Sequence, residues 1–303
     1  MSKIIRIGTR DSQLALWQAN TVKNKLETLG YKTELIPVKS MGDLVLDKPL
    51  YELGVTGIFT KTLDVAMLNG DVDIAVHSMK DVPTALPTGI VQTAVLERAS
   101  SQDILVTKGT PNFEDPCVIA TGSLRRKSQW LHRYPNHQVV GLRGYVNTRL
   151  QKLQENPWQG AIFAKAGLDR IHVLPKKYIS LDWMIPAPAQ GAMVVVALEK
   201  DSYCKEATVQ LNVTNAQVCT HIEREFLRVL EGGCTAPIGA IASINGNEIH
   251  FKGVLFSLDG QVKLEVERSI SVDDFNGFGK KCALHLLDAG GKELMTAIKE
   301  EML

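Results

Sequence analysis

The chain has 303 residues, 45% hydrophobic and 22% charged, which suits a globular protein of two or three domains and argues against disorder or a fibrous repeat. Lysine plus arginine number 34 against 33 acids, so the formal charge is +1 and a chain-wide basic field for nucleic acid is excluded. The first residues lack the apolar core of a secretory signal, and no stretch approaches the roughly 18 apolar residues that span a bilayer. The five cysteines (Cys117, Cys204, Cys219, Cys234, Cys282) form no CxxC pair, so neither a disulfide framework nor a metal site is expected. These features point to a cytoplasmic protein that binds neither nucleic acid nor membrane.

Ile4–Gly8 is a short β-branched run. Ala15, Ala19, Val22, Leu26 and Leu29 then share a helical face that Gly30 stops. Thr33–Val38 reads as a strand, Phe59, Leu63, Ala66 and Met67 as a helical stripe, and Val72–Val76 as a buried strand. This alternation predicts an α/β domain with a largely parallel sheet. Residues 40–57 have no clean period and read as a lid loop. A second α/β set follows, with strands at Ile104–Thr107, Val118–Thr121, Val139–Leu142 and Ala161–Ala164, and helices at Leu124–Tyr134 and Val146–Gln154. Met193–Leu198 is a buried-strand run that fits either set. Thr214 opens a small α+β domain through a capping box with Gln217. Its helix carries Cys219, Ile222, Phe226 and Val229. Strands at Ile238–Ile244, Glu248–Phe256 and Val262–Ile270 follow, joined by hairpin signals, then a last helix over 280–301 with Gly290-Gly291 as its break point.

Charge is unevenly spread. From Pro116 to Gln154 there is no acid, yet the segment holds Arg125, Arg126, Lys127, Arg133, Arg143, Arg149 and Lys152. That stretch is +7, and taking it from +1 leaves −6 elsewhere. Thr121-Gly122-Ser123-Leu124-Arg125-Arg126 lies where a strand hands over to a helix, with Ser123 suited to the N-cap. Two arginines in a first helical turn oppose the macrodipole, a conflict that a bound anion relieves. Arginine forks also favour carboxylates or phosphates. A solvated surface face is the plainer alternative. His77-Ser78-Met79-Lys80-Asp81 follows a buried strand, where α/β sheets bind ligands. His77 reads as a structural histidine. Lys80 and Asp81 are a surface pair or, near so many arginines, include a general acid/base. Cys234 follows Gly232-Gly233 at a helix end, a context for a nucleophilic or modified thiol as well as for a small apolar side chain.

Taken in order, these motifs resemble the porphobilinogen deaminase (hydroxymethylbilane synthase) family. They are Gly8-Thr9-Arg10-Asp11-Ser12-Gln13-Leu14-Ala15-Leu16-Trp17, the His77–Pro83 stretch, Ser123–Arg126, Leu142-Arg143-Gly144, Thr148-Arg149-Leu150, Gln190-Gly191-Ala192, and Leu230–Cys234 with Pro237-Ile238-Gly239. The resemblance implies two α/β lobes of the periplasmic-binding-protein kind with a cleft between them, plus a small α+β C-terminal domain. It divides the chain into 1–97 with 193–212, 98–192, and 213–303. It implies a monomeric transferase of tetrapyrrole and heme biosynthesis that joins four porphobilinogen molecules head to tail with loss of ammonia. The chain is primed by a dipyrromethane cofactor on a thioether to Cys234. By the same resemblance Asp81 is catalytic, and Lys80, Thr121, Ser123, Arg125, Arg126, Arg143 and Gly144 bind the cofactor. Arg10, Ser12, Phe59, Lys61, Arg149 and Gln190 bind substrate. Departures from the family pattern fall at Thr56, Gly122, Tyr145, Lys165, Pro188-Ala189 and Val196. The competing expectation is a non-catalytic two-lobed binding module for a polycarboxylate.

Overall fold

β1 (Ile4–Thr9) and β2 (Lys32–Pro37) are parallel neighbours joined by α1 (Gln13–Thr28). In the computed structural model, which describes residues 3–39, 60–230 and 236–302, Ser12 caps α1 by accepting a hydrogen bond from Ala15 N at 3.3 Å. Gly30, at φ +89°, ends it in a left-handed turn. Ala15, Ala19, Val22 and Leu26 are buried on one face, as the spacing requires. Sealing the valine or the leucine contributes roughly 1.5–3 kcal/mol each.

The chain divides into two compact units. The first holds the described residues 3–39 and 60–99 together with 191–217. α2 (Lys61–Leu68) precedes β3 (Ile74–Ser78), a single 3-10 turn (Met79–Asp81) and β4 (Ile90–Val95). β10 (Met193–Leu198) and α6 (Ser202–Val209) complete it. The sheet order is β2-β1-β3-β10-β4. β10 is antiparallel to both β3 and β4, so the Met193–Leu198 run belongs to this unit. The sheet is therefore mixed rather than largely parallel.

The second unit holds 100–190 and 218–302 among the described residues. Its α/β part contains β5 (Asp103–Thr107), β6 (Val118–Ala120), α3 (Leu124–Arg133), β7 (Gln138–Val140), α4 (Val146–Glu155), β8 (Gly160–Ala164), α5 (Lys165–Arg170) and β9 (Ile179–Ser180). The order β7-β6-β8-β5-β9 repeats the first sheet's pattern, with the inserted strand again antiparallel to its neighbours. The two sheets thus share one strand-order pattern.

α7 (Thr214–Val229) leads to β11 (Ile238–Asn245), β12 (Glu248–Phe256) and β13 (Lys263–Ser271), an antiparallel meander. α7 begins at Thr214, and Gln217 accepts a bond from Asn212 Nδ2 at 2.8 Å. The last helical stretch is two helices, α8 (Phe278–Leu286) and α9 (Lys292–Glu301), because Gly290 turns left-handed at φ +104°. Phe226 of α7 meets Phe251 edge-on at 5.2 Å in the core of this meander. The β12–β13 turn rests on α3: a Cβ at Gly260 would come within 2.4 Å of Ser128 O. No helix among the described residues is long and apolar enough to cross a membrane.

Candidate functional site

In the first unit, Ile7 pairs with Ile74 and Gly8 with Ala75. Parallel pairing brings the residues after β1 and those after β3 to one sheet edge, where such folds bind ligands. A cavity of about 60 Å³ opens there, lined among others by Arg10, Ser12, Gln18, Thr60, His77 and Asp81. Gln18 Nε2 donates to Ser78 Oγ at 2.8 Å and ties α1 to the end of β3. Met79 N donates to Ala192 O at 3.0 Å, which anchors the turn that presents Asp81. His77 is 6% exposed. Burial, with a smaller effect from the Arg10 charge, lowers its pKa to about 4, so the imidazole is neutral near pH 7. Its Nε2 has no hydrogen-bond partner. Lys80 is half-buried in the same turn but does not line the cavity, and Lys61 is exposed at the start of α2. Phe59, Thr56 and the lid loop lie outside the described residues.

In the second unit, the turns after β6 and β7 also emerge at one edge, because those strands are parallel neighbours. Thr121 N donates to Val140 O at 2.9 Å, and Thr121 Oγ1 accepts from Ser123 N at 3.3 Å. Ser123 holds the N-cap position of α3, but its hydroxyl makes no capping bond. Arg143 is half-buried, which lowers its pKa. Arg149 Nε donates to Gly144 O at 2.7 Å, and Gly144 sits at φ +113°. Gly122 is tightly approached: a Cβ there would lie 2.5 Å from Leu142 O.

The two adjacent arginines are engaged inside the protein. Asp103, at the start of β5, is fully buried. Its Oδ2 accepts from Arg125 Nη1 at 2.7 Å, and its Oδ1 from Arg126 Nη2 at 2.8 Å and Arg126 Nε at 3.1 Å. Gln190 Nε2 adds a bond to Oδ1 at 2.9 Å. Burial by itself would raise the Asp103 pKa, but the two guanidiniums hold it well below the usual carboxylate range. The conflict between arginine and helix dipole is thus relieved by an internal carboxylate. Sequence reading missed Asp103, since nothing local marks it as the partner of residues more than twenty positions away. Arg125 Nε is left buried without an acceptor.

Cys117, Cys204, Cys219 and Cys282 are all buried. Burial first of all pushes the Cys204 thiol up to about 12 and Cys282 to about 11, so neither is a nucleophile near neutral pH. Cys234 lies outside the described residues. Of the departures, Lys165 pairs with Asp169 at 2.7 Å, Val196 is buried in β10, Ala189 adopts φ +61°, and Tyr145 is exposed before α4.

The family model described as porphobilinogen deaminase, dipyromethane cofactor binding domain, matches residues 5–206, and that of the C-terminal domain matches 217–288. A porphobilinogen deaminase from Campylobacter hominis is 40% identical over 98% of this chain and 98% of its own length. One from Desulfitobacterium hafniense is 41% identical over 97% of each. Among solved structures, an ancestral cationic amino acid solute binding protein and a methionine binding protein each align with a TM-score of 0.44 at 14% identity. They cover 69% of this chain and 87% and 89% of their own. With both family models matched in order and relatives alike over nearly their whole length, the chain belongs to the porphobilinogen deaminase family.

Proposed function

We propose that the chain condenses four porphobilinogen molecules head to tail, releasing ammonia each time, to give hydroxymethylbilane. The observation that carries this is the cationic edge after β6 and β7. There Arg143 and Arg149 join a helix start whose first-turn N–H groups have no side-chain cap. Each pyrrole of porphobilinogen carries an acetate and a propionate, so a growing chain is a dense polyanion that such an edge suits.

A dipyrromethane fits the same residues. Arg125 Nε lacks an acceptor, and the Ser123 hydroxyl is not engaged as a cap. Thr121, Ser123, Arg125, Arg126, Arg143, Gly144 and Lys80 would hold its carboxylates or backbone-facing edges, and the Cys234 thiolate would carry it as a thioether. When bound, it supplies the terminal pyrrole carbon from which the product is extended. Arg125 and Arg126 act from positions set by Asp103, whose buried charge keeps their forks from swinging. Arg10, Ser12, Phe59, Lys61, Arg149 and Gln190 bind substrate carboxylates or line the site.

Asp81 serves as the catalytic carboxylate. It gives a proton to the departing amine and stabilises positive charge on the pyrrole nitrogen. Its place in the cavity with Arg10 and Ser12 supports this role. Neutral His77 adds no competing positive charge at the same wall. The reading includes a cytoplasmic monomer in three parts, 1–97 with 193–212, 98–192, and 213–303. A binding module without catalysis is set aside, because the relatives matched over full length are deaminases. Intact-mass measurement tests the proposal. Wild-type protein is expected to carry an adduct the size of two pyrrole units that is absent from Cys234→Ala. An unmodified mass in active wild-type protein would overturn it.

A further inference from the structure

Glu223 lies in the middle of α7 and is fully buried. Its Oε2 accepts from Ala189 N at 2.6 Å and its Oε1 from Ala242 N at 2.7 Å. Ala189 adopts a left-handed conformation (φ +61°), which is costly for a residue with a Cβ and persists only where surrounding bonds impose it. The next residue, Gln190, is also fully buried, and its amide donates to Ser101 O at 2.7 Å and to Asp103. Asp103 in turn holds Arg125 and Arg126. The preceding residues are fixed too: Ala240 N donates to Pro186 O at 3.0 Å, and Gln129 binds Ile185 N and O at 2.8 and 2.9 Å. Hydrogen bonds joined through the Ala189–Gln190 peptide bond therefore lead from α7, the helix that precedes Cys234 in the chain, to the arginine pair.

We propose, on the reading that Arg125 and Arg126 hold the dipyrromethane, that Glu223 is a positioning residue: it imposes the left-handed turn at Ala189 so that Gln190 and Asp103 hold the two guanidiniums in register. The role needs two acceptor oxygens for two backbone N–H groups. A carboxamide keeps the shape but offers one oxygen, so Glu223→Gln leaves one buried N–H facing an NH2 group.

The test uses the full chain, comparing wild type, Glu223→Gln and Phe226→Leu. Phe226 is a buried ring on the same helix that makes none of these polar contacts. Glu223→Gln is expected to reduce the fraction of chains carrying the dipyrromethane mass. KM for porphobilinogen should rise about fivefold to tenfold, the scale of one unsatisfied buried donor, with a smaller change in kcat. Phe226→Leu should lower Tm while leaving occupancy and KM unchanged. Wild-type occupancy and KM in Glu223→Gln would overturn the proposal, as would an equal loss in Phe226→Leu. Should Glu223→Gln fail to fold, the pair Glu223→Gln/Ala189→Gly supplies the left-handed turn without a clamp, because glycine adopts φ > 0 at no steric cost. The pair is expected to fold with occupancy and KM near wild type, and a folded pair that still lacks the dipyrromethane mass or keeps a raised KM would overturn the proposal. A wild-type chain without the dipyrromethane mass would refute the functional reading itself. A loaded wild type with an unaffected variant would refute only the role of Glu223.

Discussion

Asp103→Asn removes the negative charge from between two buried guanidiniums while keeping the side chain's size. Asp103 is fully buried, and Arg125 and Arg126 are 4% and 6% exposed, so solvent does little to replace the lost partner. Breaking one side of a buried ion pair costs about 3–5 kcal/mol. Asparagine still offers Oδ1 to Arg126 and Gln190, but its NH2 faces Arg125 Nη1, so a loss of about 3 kcal/mol is expected. Urea unfolding at pH 7 should show it as a midpoint shift of about 1 M. The pH dependence has a definite sign. The folded Asp103 pKa is depressed below the ordinary value of 3.8, so its contribution is complete above that value and fades as pH falls through it. The gap between wild type and variant should therefore be equal at pH 7 and pH 5 and narrow only below about pH 4. A gap under about 1 kcal/mol at pH 7, or one that widens in acid, would refute the assignment of Asp103 as counter-ion.

Three further outcomes follow from the geometry. Asp81→Asn should keep the covalent adduct by intact mass yet lose at least about 100-fold in kcat, the scale of a general acid/base; near-normal turnover would reject Asp81 as the catalytic carboxylate. Gly122→Ser should lower stability by about 1–3 kcal/mol in chemical denaturation, because its Cβ would meet Leu142 O at 2.5 Å and the strand end must move; an unchanged midpoint would show that Leu142 gives way freely. His77, with its pKa lowered from 6.5 to about 4, stabilises the fold above its unfolded value and loses that contribution as pH falls from 6.5 toward 4. His77→Gln should flatten the stability profile across that window, and a retained slope would assign the titration to another group.

Short-range pattern accounts for much of the molecule. The α1 face of Ala15, Ala19, Val22 and Leu26, the strand-to-helix turns at Ser123 and after Leu142, and the glycine break at Gly290 are consequences of neighbours a few residues apart. Local chemistry likewise places Asp81 just after the buried strand β3, whereas Arg10 and Ser12 enter only through the family resemblance, and Cys234 lies outside the described residues. Tertiary structure decided what depends on distant partners. The Met193–Leu198 run is apolar enough for any buried strand, and only its pairing with β3 and β4 chose a sheet. β4 and α6 carry little local signal: Ile90–Val95 is a short run behind Pro87 and Gly89, and α6 relies on an Asp201 cap to Cys204 N. The acid-free stretch from Pro116 to Gln154 points to a bound anion or to a solvated face, and by itself shows no internal partner for its arginines. For Arg125 and Arg126 the fold also brings Asp103 alongside from β5, and Glu223 reaches the turn beside Gln190 from α7. Hydrophobic periodicity is a property of neighbours along the chain, whereas compensation of buried charge is a property of neighbours in space, so the first was legible in the sequence and the second required the packed structure.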